Sequence, residues 1–321
     1  MGKVLSVVVP AYNVEQYLGE ALESCLIDAM DSLEVLVVVD GSKDKSLLVA
    51  QKYESRYPSV FRAIYKENGG YGSVVNLGIQ EAEGRYFKVL DGDDWFNPQS
   101  LESIVGFLGE ATDDLIACQM EFVYQESGEH KIVDECRPLK PWLSNPVCDI
   151  EGCVTMHSFV YRTELLRACG INLPSHCLYT DTILVSLAFD KAETVYYRPE
   201  VLYRYRLDRP GQSIDISSKL SHLEDVELVL DCLMDELDRT HEINSMVGRQ
   251  CLAIVESHYR FICEHSREKK ESIKRFNGML RKHDWSLSVI RKNVRIAKLA
   301  NMTKGNLGPD LVCLFAFVWA R

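Results

Sequence analysis

The first half of the chain alternates short apolar runs with amphipathic stretches. The apolar runs predict strands at 4–9, 34–39, 60–65, 86–90 and 115–123. Amphipathic patterns at 14–26 and 45–56 predict helices, which we expect Asn13 and Asp44 to cap. Runs this continuously apolar are typical of a mostly parallel sheet with helices on both faces, an α/β fold. In such sheets ligands bind beyond the carboxyl ends of the strands.

Helical patterns alone follow from about residue 217. Apolar residues recur there at three- and four-residue spacing, which predicts helices at 220–237, 243–263, 269–280 and 287–299. We therefore place a boundary at residue 215, between an α/β domain at 1–215 and an α-helical C-terminal region at 216–321.

The composition is that of an ordinary globular protein, with 46% of the 321 residues hydrophobic and 26% charged. The net charge of −11 argues against a nucleic-acid-binding protein, which needs a basic surface. Eleven cysteines are scattered without a Cys-x-x-Cys pair, and the apolar run at the start is too short for a signal peptide. We therefore expect a cytoplasmic protein.

Charge is unevenly distributed along the chain. Residues 265–304 carry 12 Lys plus Arg and 3 Asp plus Glu, a local charge of +9 that leaves −20 for the rest. Basic and apolar residues interspersed in this way favour peripheral contact of 265–321 with the anionic inner face of the cell membrane. A solvated helix face, or docking on the acidic part of the same chain, is the alternative. The apolar run 311–319 is about half a membrane span and is expected to enter that surface, close a helical core or pair two subunits into a homodimer.

Polar turns follow the predicted strands at the edge where ligands are expected. Residues 10–13 follow the first strand and residues 40–44 follow the second. Residues 68–73 contain a glycine pair, and residues 91–95 contain three aspartates. Carboxylates gathered in this way repel each other unless a cation is bound, and oxygen ligands suit Mg²⁺ and Mn²⁺. The glycine pair lets the backbone approach a ligand, so a metal-bound nucleoside diphosphate is the expected occupant.

The ordered motifs in these turns resemble those of bacterial family 2 glycosyltransferases. They read Pro-x-Tyr-Asn, Asp-Gly-Ser-x-Asp, Asn-Gly-Gly, Asn-x-Gly-Ile and Asp-x-Asp-Asp-Trp, and the likeness continues in Tyr-Thr-Asp at 179–181 and Tyr-Arg-Tyr-Arg at 203–206. The resemblance covers about residues 3–215, and the ordered set is far more specific than any one motif. It implies the GT-A fold, a Rossmann-like and mostly parallel sheet.

The resemblance also implies a role for each matching residue. Asp181 corresponds to the catalytic base and Asp93 to the ligand of Mn²⁺ or Mg²⁺. Arg206 and Ser213 correspond to a mobile segment that grips the diphosphate. The residues implied to bind the nucleotide-sugar are Pro10, Tyr12, Asn13, Asp40, Gly69, Gly70, Asn76, Asp91, Gly92, Arg206 and Ser213.

Within that set, Asp40 and residues 10–13 are expected to hold the uracil and ribose, with Asp91 near the ribose. Structural interpretations stay open for several members. Asp181 also suits a helix cap, the glycine pair suits a turn, and Asn76 suits a bridge between backbone groups. Cys148, Cys153 and His157 fit no usual zinc spacing, so we interpret the cysteines as core residues.

The chain departs from the family pattern at three positions. Val39 stands where the family often has an acidic residue, Val75 replaces the usual Arg before Asn76, and Thr180 replaces the common Glu before Asp181. These departures suggest a divergent branch. They keep open a catalytically inactive protein of the same fold that binds a nucleotide-sugar or serves as a scaffold.

Our interpretation is a metal-dependent, inverting glycosyltransferase of hexosyl or N-acetylhexosaminyl type. It would move a sugar from a nucleotide-sugar, expected to be UDP-linked, to a hydroxyl of a cell-surface glycan or lipid-linked acceptor in cell-wall or capsule polysaccharide synthesis. The region 216–321 would supply an acceptor, membrane or dimer contact. A nucleotidyltransferase is disfavoured, because residues 10–13 are not a glycine-rich, basic phosphate loop.

Overall fold

The computed structural model describes residues 2–209, 212 and 215–302, with side chains to residue 293. The chain divides into two compact units between residues 210 and 211. The described part of the first unit is a sheet with helices, and that of the second is helical. The predicted fold class, α/β followed by a helical region, is therefore confirmed.

The strands of the first unit form one mixed sheet. They are β1 (Leu5–Ala11), β2 (Leu33–Asp40), β3 (Phe61–Lys66), β4 (Tyr86–Val89), β5 (Trp95–Phe96), β6 (Leu115–Tyr124), β7 (His130–Val133), β8 (Ser144–Pro146), β9 (Phe159–Arg162) and β10 (Thr194–Leu207). The order across the sheet is β3-β2-β1-β4-β9-β6-β10-β5, with β7 beside β6 and β8 beside β10. β1, β2, β3 and β4 are mutually parallel where they pair, and β9 runs antiparallel to both of its neighbours.

Six helices of this unit are described. They are α1 (Leu18–Glu23), α2 (Ser46–Arg56), α3 (Tyr71–Glu81), α4 (Pro98–Leu108), α5 (Thr163–Ala168) and α6 (Asp181–Lys191). α2 joins β2 to the parallel β3, and α3 leads from β3 towards β4, so strands and helices alternate as the apolar pattern predicts.

Both faces of the sheet are covered, because alternate residues of a strand point to opposite sides. Val7 and Val9 of β1 are fully buried in a core that also contains Leu18 of α1. Val8 points to the other face, towards Gly78 of α3. A Cβ atom on Gly78 would lie 2.5 Å from Cγ2 of Val8. Only glycine therefore lets α3 pack this closely on β1.

The first helix is shorter than the sequence predicts. It does not begin at residue 14, because Asn13 does not cap it. Asn13 adopts φ +54°, and its Oδ1 accepts the N–H of Lys43 at 2.9 Å. The prediction that Asn13 is a helix cap is therefore wrong. Asp44 does accept the N–H of Ser46, the first residue of α2, at 3.0 Å.

The second unit contains α7 (Ile216–Ser221), α8 (Leu223–Thr240), α9 (Met246–His265), α10 (Lys269–Leu280) and α11 (Asp284–Met302). Its core includes Leu230, Leu233 and Leu237 of α8, all fully buried. These residues have the three- and four-residue spacing that predicted the helix, and they place one face of α8 against its neighbours.

A buried ion cluster links three of these helices. The Glu227 carboxylate accepts hydrogen bonds from Arg275 Nε at 2.9 Å and Nη2 at 3.0 Å, and His258 Nε2 lies 3.4 Å away. Burial acts to raise the pKa of Glu227, but the hydrogen bonds from His258 and Arg275 outweigh it and hold this pKa below its ordinary value.

Glu227→Gln is expected to lower the free energy of unfolding by about 2 kcal/mol at neutral pH, because it removes a buried carboxylate charge that accepts two hydrogen bonds from a half-exposed guanidinium. The contribution exists above the unfolded-state pKa and is lost as the pH falls through the lowered folded-state pKa, so the difference disappears in acid. Urea unfolding at several pH values measures it. The control is Glu224→Gln, which removes a 76% exposed partner of the same arginine and should cost less than about 0.5 kcal/mol. Equal effects of the two variants would contradict the prediction.

Part of the basic stretch pairs with acidic residues of its own unit. Arg275 contacts Glu227, and Lys282 Nζ lies 3.7 Å from Asp231 Oδ2, whereas Lys269 and Lys270 are exposed. Among the described residues, no helix combines the length and the apolar character that crossing a membrane requires. Membrane contact through 265–321 stays a prediction, and the run 311–319 lies outside the described residues.

Candidate active site

The turns after β1 and β2 are joined by hydrogen bonds. Ser42 Oγ donates to the carbonyl of Ala11 and accepts the N–H of Asn13, both at 3.1 Å. Beside them the Tyr12 side chain is 53% exposed. The two turns form one surface at the carboxyl edge of the sheet, and Tyr12 presents an open aromatic ring there.

The turn after β4 packs directly on the end of β1. A Cβ atom on Gly92 would lie 2.7 Å from the carbonyl oxygen of Pro10, closer than real contacts of this kind. Glycine at this position therefore lets Asp91 and Asp93 lie beside the turn that follows β1.

Asp40, at the end of β2, anchors the glycine loop. It is 3% exposed, and its carboxylate accepts hydrogen bonds from Lys66 Nζ at 2.6 Å, Gly69 N at 2.9 Å and Gly70 N at 2.8 Å. Gly70 has φ +79°, and a Cβ atom there would lie 2.8 Å from the backbone of His176. The loop therefore requires glycine, and contact of Asp40 with a nucleobase stays a prediction.

Asn76 of α3 holds the backbone that leads to α6. Its Oδ1 accepts the N–H of Leu173 and its Nδ2 donates to the carbonyl of the same residue, both at 2.9 Å. This is the bridge between backbone groups that the sequence left open as an alternative. A donor contact by Asn76 stays a prediction.

Asp91, Asp94 and His157 form a cluster that suits a divalent cation. Each offers a ligand atom, and these atoms all lie within 4.8 Å of one another. Asp91 Oδ2 lies 3.6 Å from His157 Nε2, and Asp91 Oδ1 is buried without a hydrogen-bond partner among the described residues. A buried carboxylate oxygen without a partner is costly unless a ligand meets it, so the cluster fits Mg²⁺ or Mn²⁺.

Sequence reasoning missed His157, which was considered only beside two cysteines as a zinc site. In the structure Cys148 and Cys153 are exposed, so their interpretation as core residues is wrong. His157 instead packs its ring edge on Tyr203 and Tyr205, with centroids 4.9 Å apart in each case. The spacing of residues in the sequence does not predict this packing of His157, because the packing depends on the position of β9 in the sheet.

Asp93, the sequence-predicted metal ligand, forms an ion pair with Arg209. Arg209 also lies over the ring of Tyr17, 5.7 Å from its centroid. The carboxylate is 15% exposed and neighbours the cluster, so a cation at Asp93 would compete with the guanidinium. The role of Asp93 as a metal ligand stays a prediction, and Arg209 is a second residue that the sequence did not single out.

Arg206 lies inside β10, whereas the sequence interpretation put it in a mobile segment. It is 5% exposed and donates to the carbonyl of Asp93 at 2.7 Å, to Gln125 Oε1 at 2.9 Å and to Glu20 Oε2 at 2.6 Å. Its guanidinium lies 4.5 Å from the centroid of the Trp95 ring. These contacts make it a packing residue of the fold, and its grip on a diphosphate stays a prediction. Ser213 lies outside the described residues.

Asp181 is the first residue of α6, and strained backbone precedes it. His176 and Tyr179 have φ +51° and φ +63°, a left-handed conformation that non-glycine residues rarely adopt. Thr180 is fully buried, and its Oγ1 has no hydrogen-bond partner among the described residues. The family's usual glutamate would place a longer, charged side chain in this space.

Burial raises the pKa of Asp93, Asp94 and Asp181. The charge of Asp91 adds to the effect in all three, while His157 opposes it at Asp181. These carboxyl groups are therefore harder to ionise than exposed ones, and a bound cation would favour their charged forms.

Asp94→Asn is expected to raise the melting temperature of the metal-free protein at about pH 8 by roughly 2–4 °C. The raised folded-state pKa means that stability falls as the pH rises from the ordinary carboxyl value of about 4. Asparagine does not ionise, and it keeps an oxygen acceptor for the backbone N–H of Arg206, which donates to Asp94 Oδ1 at 2.7 Å. Thermal melts across the pH range test this.

The control variant, Asp44→Asn, is expected to change the melting temperature in the opposite direction. Burial acts to raise the pKa of Asp44, but hydrogen bonds from Ser46 and Glu15 outweigh it and lower this pKa, so its contribution is lost as the pH falls. Asp44→Asn should therefore lower the melting temperature at neutral pH. Parallel pH profiles for the two variants would contradict both expectations.

Comparison with known proteins places these features in a family context. A family model described as "Glycosyl transferase family 2" matches residues 6–170. The chain is 30% identical over 218 residues to the minor teichoic acid biosynthesis protein GgaB of Bacillus subtilis, which covers 65% of this chain but 23% of GgaB. It is 29% identical over 230 residues to the uncharacterized glycosyltransferase RP339 of Rickettsia prowazekii, covering 70% of each.

Solved structures resemble the chain over most of its length. S. aureus TarS 1–349 in complex with UDP-GlcNAc gives a TM-score of 0.68 at 21% identity, covering 91% of this chain and 85% of that one. Mannosyltransferase PcManGT from Pyrobaculum calidifontis, in complex with GDP-Man and Mn²⁺, gives 0.55 at 14% identity, covering 98% and 85%. At these identities the likeness shows the fold, and the predicted GT-A fold is confirmed.

Proposed function

The chain belongs to glycosyl transferase family 2, and we propose that it is a metal-dependent, inverting enzyme that moves a sugar from a UDP-sugar to a hydroxyl group. One observation carries the proposal. Asp91, Asp94 and His157 offer ligand atoms within 4.8 Å of one another, and the charge of Asp91 reaches the buried carboxyl of Asp181, whose pKa is raised mainly by burial. A base beside a cation-binding cluster is what transfer from a sugar diphosphate to a hydroxyl requires.

Asp181 is the proposed catalytic base. Burial raises its pKa, which makes the carboxylate a stronger acceptor for the proton of an incoming hydroxyl than an exposed aspartate. Attack by that hydroxyl opposite the leaving diphosphate inverts the anomeric carbon. One carboxylate serves for this, because no glycosyl-enzyme intermediate is needed.

Asp91, Asp94 and His157, with Asp93 beside them, are the proposed holders of the metal. When bound there, Mg²⁺ or Mn²⁺ supplies a Lewis acid to the diphosphate. Arg209 adds a second positive charge beside Asp93. The exposed Tyr12 ring and the joined turns after β1 and β2 offer the surface for the base and ribose.

The proposal of a UDP-sugar donor and a cell-surface acceptor draws on the relatives. TarS is described in complex with UDP-GlcNAc and with UDP, and GgaB is described as a minor teichoic acid biosynthesis protein. We therefore propose that this chain, of hexosyl or N-acetylhexosaminyl type, acts on a wall glycan or lipid-linked precursor. Residues 1–215 would form the catalytic domain, and 216–321 would supply an acceptor, membrane or dimer contact.

A donor screen by thermal shift, with and without Mn²⁺, tests the proposal. A ligand at a hundredfold excess over its Kd stabilises the folded state by about 2.7 kcal/mol. UDP-GlcNAc with Mn²⁺ should raise the melting temperature and then release UDP slowly in solution, while GDP-mannose should do neither. Stabilisation by GDP-mannose alone would overturn the UDP assignment.

The second candidate is an inactive protein of the same fold, favoured by Thr180 in place of the usual glutamate. It predicts UDP-sugar binding without turnover. If a panel of UDP-sugars binds but none is consumed, even with crude glycan acceptors, this alternative replaces the enzyme.

A further inference from the structure

Lys88 is a fully buried lysine in β4, three residues before Asp91. Its Nζ donates hydrogen bonds to the carbonyl oxygens of Met156 at 3.2 Å, His157 at 2.6 Å and Phe159 at 2.9 Å. An ammonium group has three N–H donors, and these carbonyls take all three. Burial lowers the pKa of Lys88 to about 7, and the three carbonyl acceptors favour its protonated form, so no ligand is needed to satisfy the side chain.

The carbonyls that Lys88 meets lie where the chain leaves the sheet. The paired register of β4 and β9 ends at Phe87 and Tyr161, and residues 156–158 form a turn of 3₁₀ helix ahead of β9. The Met156 carbonyl also accepts the N–H of Phe159, so an apolar side chain at position 88 would remove the side-chain donor from the carbonyls of His157 and Phe159 in particular. Lys88 thus supplies this segment with hydrogen-bond donors, which a neighbouring strand supplies elsewhere in the sheet.

Glu135 holds the same segment from another side. Its Oε2 accepts hydrogen bonds from the N–H of Thr155 at 2.9 Å, the hydroxyl of Thr155 at 3.1 Å and the hydroxyl of Ser158 at 2.9 Å. A buried ammonium and a carboxylate thus hold the stretch 155–159. His157 lies between these attachment points, with its imidazole directed at Asp91.

We propose that Lys88 is a positioning residue whose three hydrogen bonds fix the segment 156–159, so that the imidazole of His157 faces Asp91 and Asp181. This role of Lys88 rests on the proposed function, because the cation site is the reason why the imidazole of His157 needs a fixed orientation. Lys88 is fully buried, so it would not touch a bound donor and would act through His157.

The first test is spectroscopic and needs neither metal nor substrate. The imidazole Cε1–H signal of His157 is assigned by its loss in His157→Asn and then followed in Lys88→Met. We expect that signal to move while those of the other seven histidines of the chain keep their positions. An unchanged His157 signal overturns the proposal.

The matched control is Lys3→Met, which removes another lysine that donates to two carbonyls. Lys3 Nζ meets the carbonyls of Asp31 at 3.0 Å and Ser59 at 2.6 Å, just ahead of β1 and away from the carboxyl edge. The His157 signal should not move in this variant. If it moves as much as in Lys88→Met, the effect is a general loosening of the fold and the proposal fails.

A double-mutant cycle then shows whether Lys88 acts through His157. Lys88→Met should weaken Mn²⁺ binding about tenfold, the usual cost of losing a residue that orients a ligand. In the His157→Ala background the same change should alter Mn²⁺ affinity by less than about twofold. Additive losses would mean that Lys88 acts independently of His157, and they would overturn the proposal.

Glu135→Gln covers the case in which Lys88→Met does not fold. It loosens the other attachment of the segment, so it should move the His157 signal and weaken Mn²⁺ binding in the same direction. Wild-type values for both measurements would overturn the proposal. UDP release by the wild-type protein is scored separately: its complete absence defeats the proposed function while the His157 spectra still decide the role of Lys88.

Discussion

Asp181→Asn is expected to lower sugar transfer by about a thousandfold or more, while UDP-sugar affinity stays within about threefold of wild type. Asparagine keeps the size of the side chain but cannot take the proton from an acceptor hydroxyl. Because the proposed function assigns this carboxylate to the transfer step and not to the donor contacts, the loss should fall on kcat. Steady-state transfer assays and calorimetric titration of the donor measure the two quantities.

The matched control for this variant is Glu164→Gln. Glu164 is an exposed carboxylate in the first turn of α5, so its removal reproduces the loss of a negative charge at a helix N-terminus. It should leave transfer unchanged and cost a few tenths of a kcal/mol in stability. If Asp181→Asn weakens donor binding and transfer equally, Asp181 is a structural residue and the assignment of the base fails.

Asp93→Ala is expected to abolish Mn²⁺-dependent UDP release, with a loss of about a hundredfold or more. Burial, with the charge of Asp91 added, raises the pKa of Asp93, and a bound cation would favour its ionised form. The variant also frees Arg209 from its ion pair, so Arg209→Ala is the necessary comparison. Mn²⁺ titrations by electron paramagnetic resonance, run beside the UDP assay, separate metal binding from turnover.

Arg209→Ala removes the competing guanidinium and keeps the carboxylate. It should therefore bind Mn²⁺ at least as tightly as the wild type. The assignment of Asp93 fails if Asp93→Ala binds Mn²⁺ normally and His157→Ala does not. The metal ligands are then Asp91, Asp94 and His157, and the role that the motif implies for Asp93 is wrong.

The apolar pattern predicted β1, β2, β3, β4 and β6 because each contains a run of apolar residues; β1, β2 and β4 are almost continuously buried, whereas β3 is mostly half-buried. β9 escaped prediction for the opposite reason. It has four residues, and it is buried only because β4 and β6 lie on either side of it. Short strands take their character from their neighbours, and one sequence does not show those neighbours.

The residues of the candidate site also fall into two groups, those that the sequence motifs predict and those that depend on contacts between distant segments. The order of the motifs predicted Asp40, Asp91 and Asp181 as site residues, and the structure places Asp40 at the end of β2, Asp91 two residues after β4 and Asp181 at the start of α6. His157 and Lys88 were not predicted, because their contacts join segments about seventy residues apart through β9. Arg206 matches the family motif in residue type and position. Its contacts in the structure are instead with Trp95 and Glu20, which lie far away in the sequence.

The central position of β9 has a consequence for how the protein is made. β4 and β6 pair with β9 and not with each other, so the sheet cannot close until residues 159–162 have left the ribosome. Before then, Asp91 is present on a nascent chain in which β4 and β6 lack β9, the strand that both pair with and that His157 precedes. Pairing across such separations is slow, because loop closure comes before the contacts that stabilise it. A translation product released before residue 159 would therefore carry Asp91, Asp93 and Asp94 but lack both β9 and Asp181, and we expect it to be degraded by proteases and not to act as a weak enzyme.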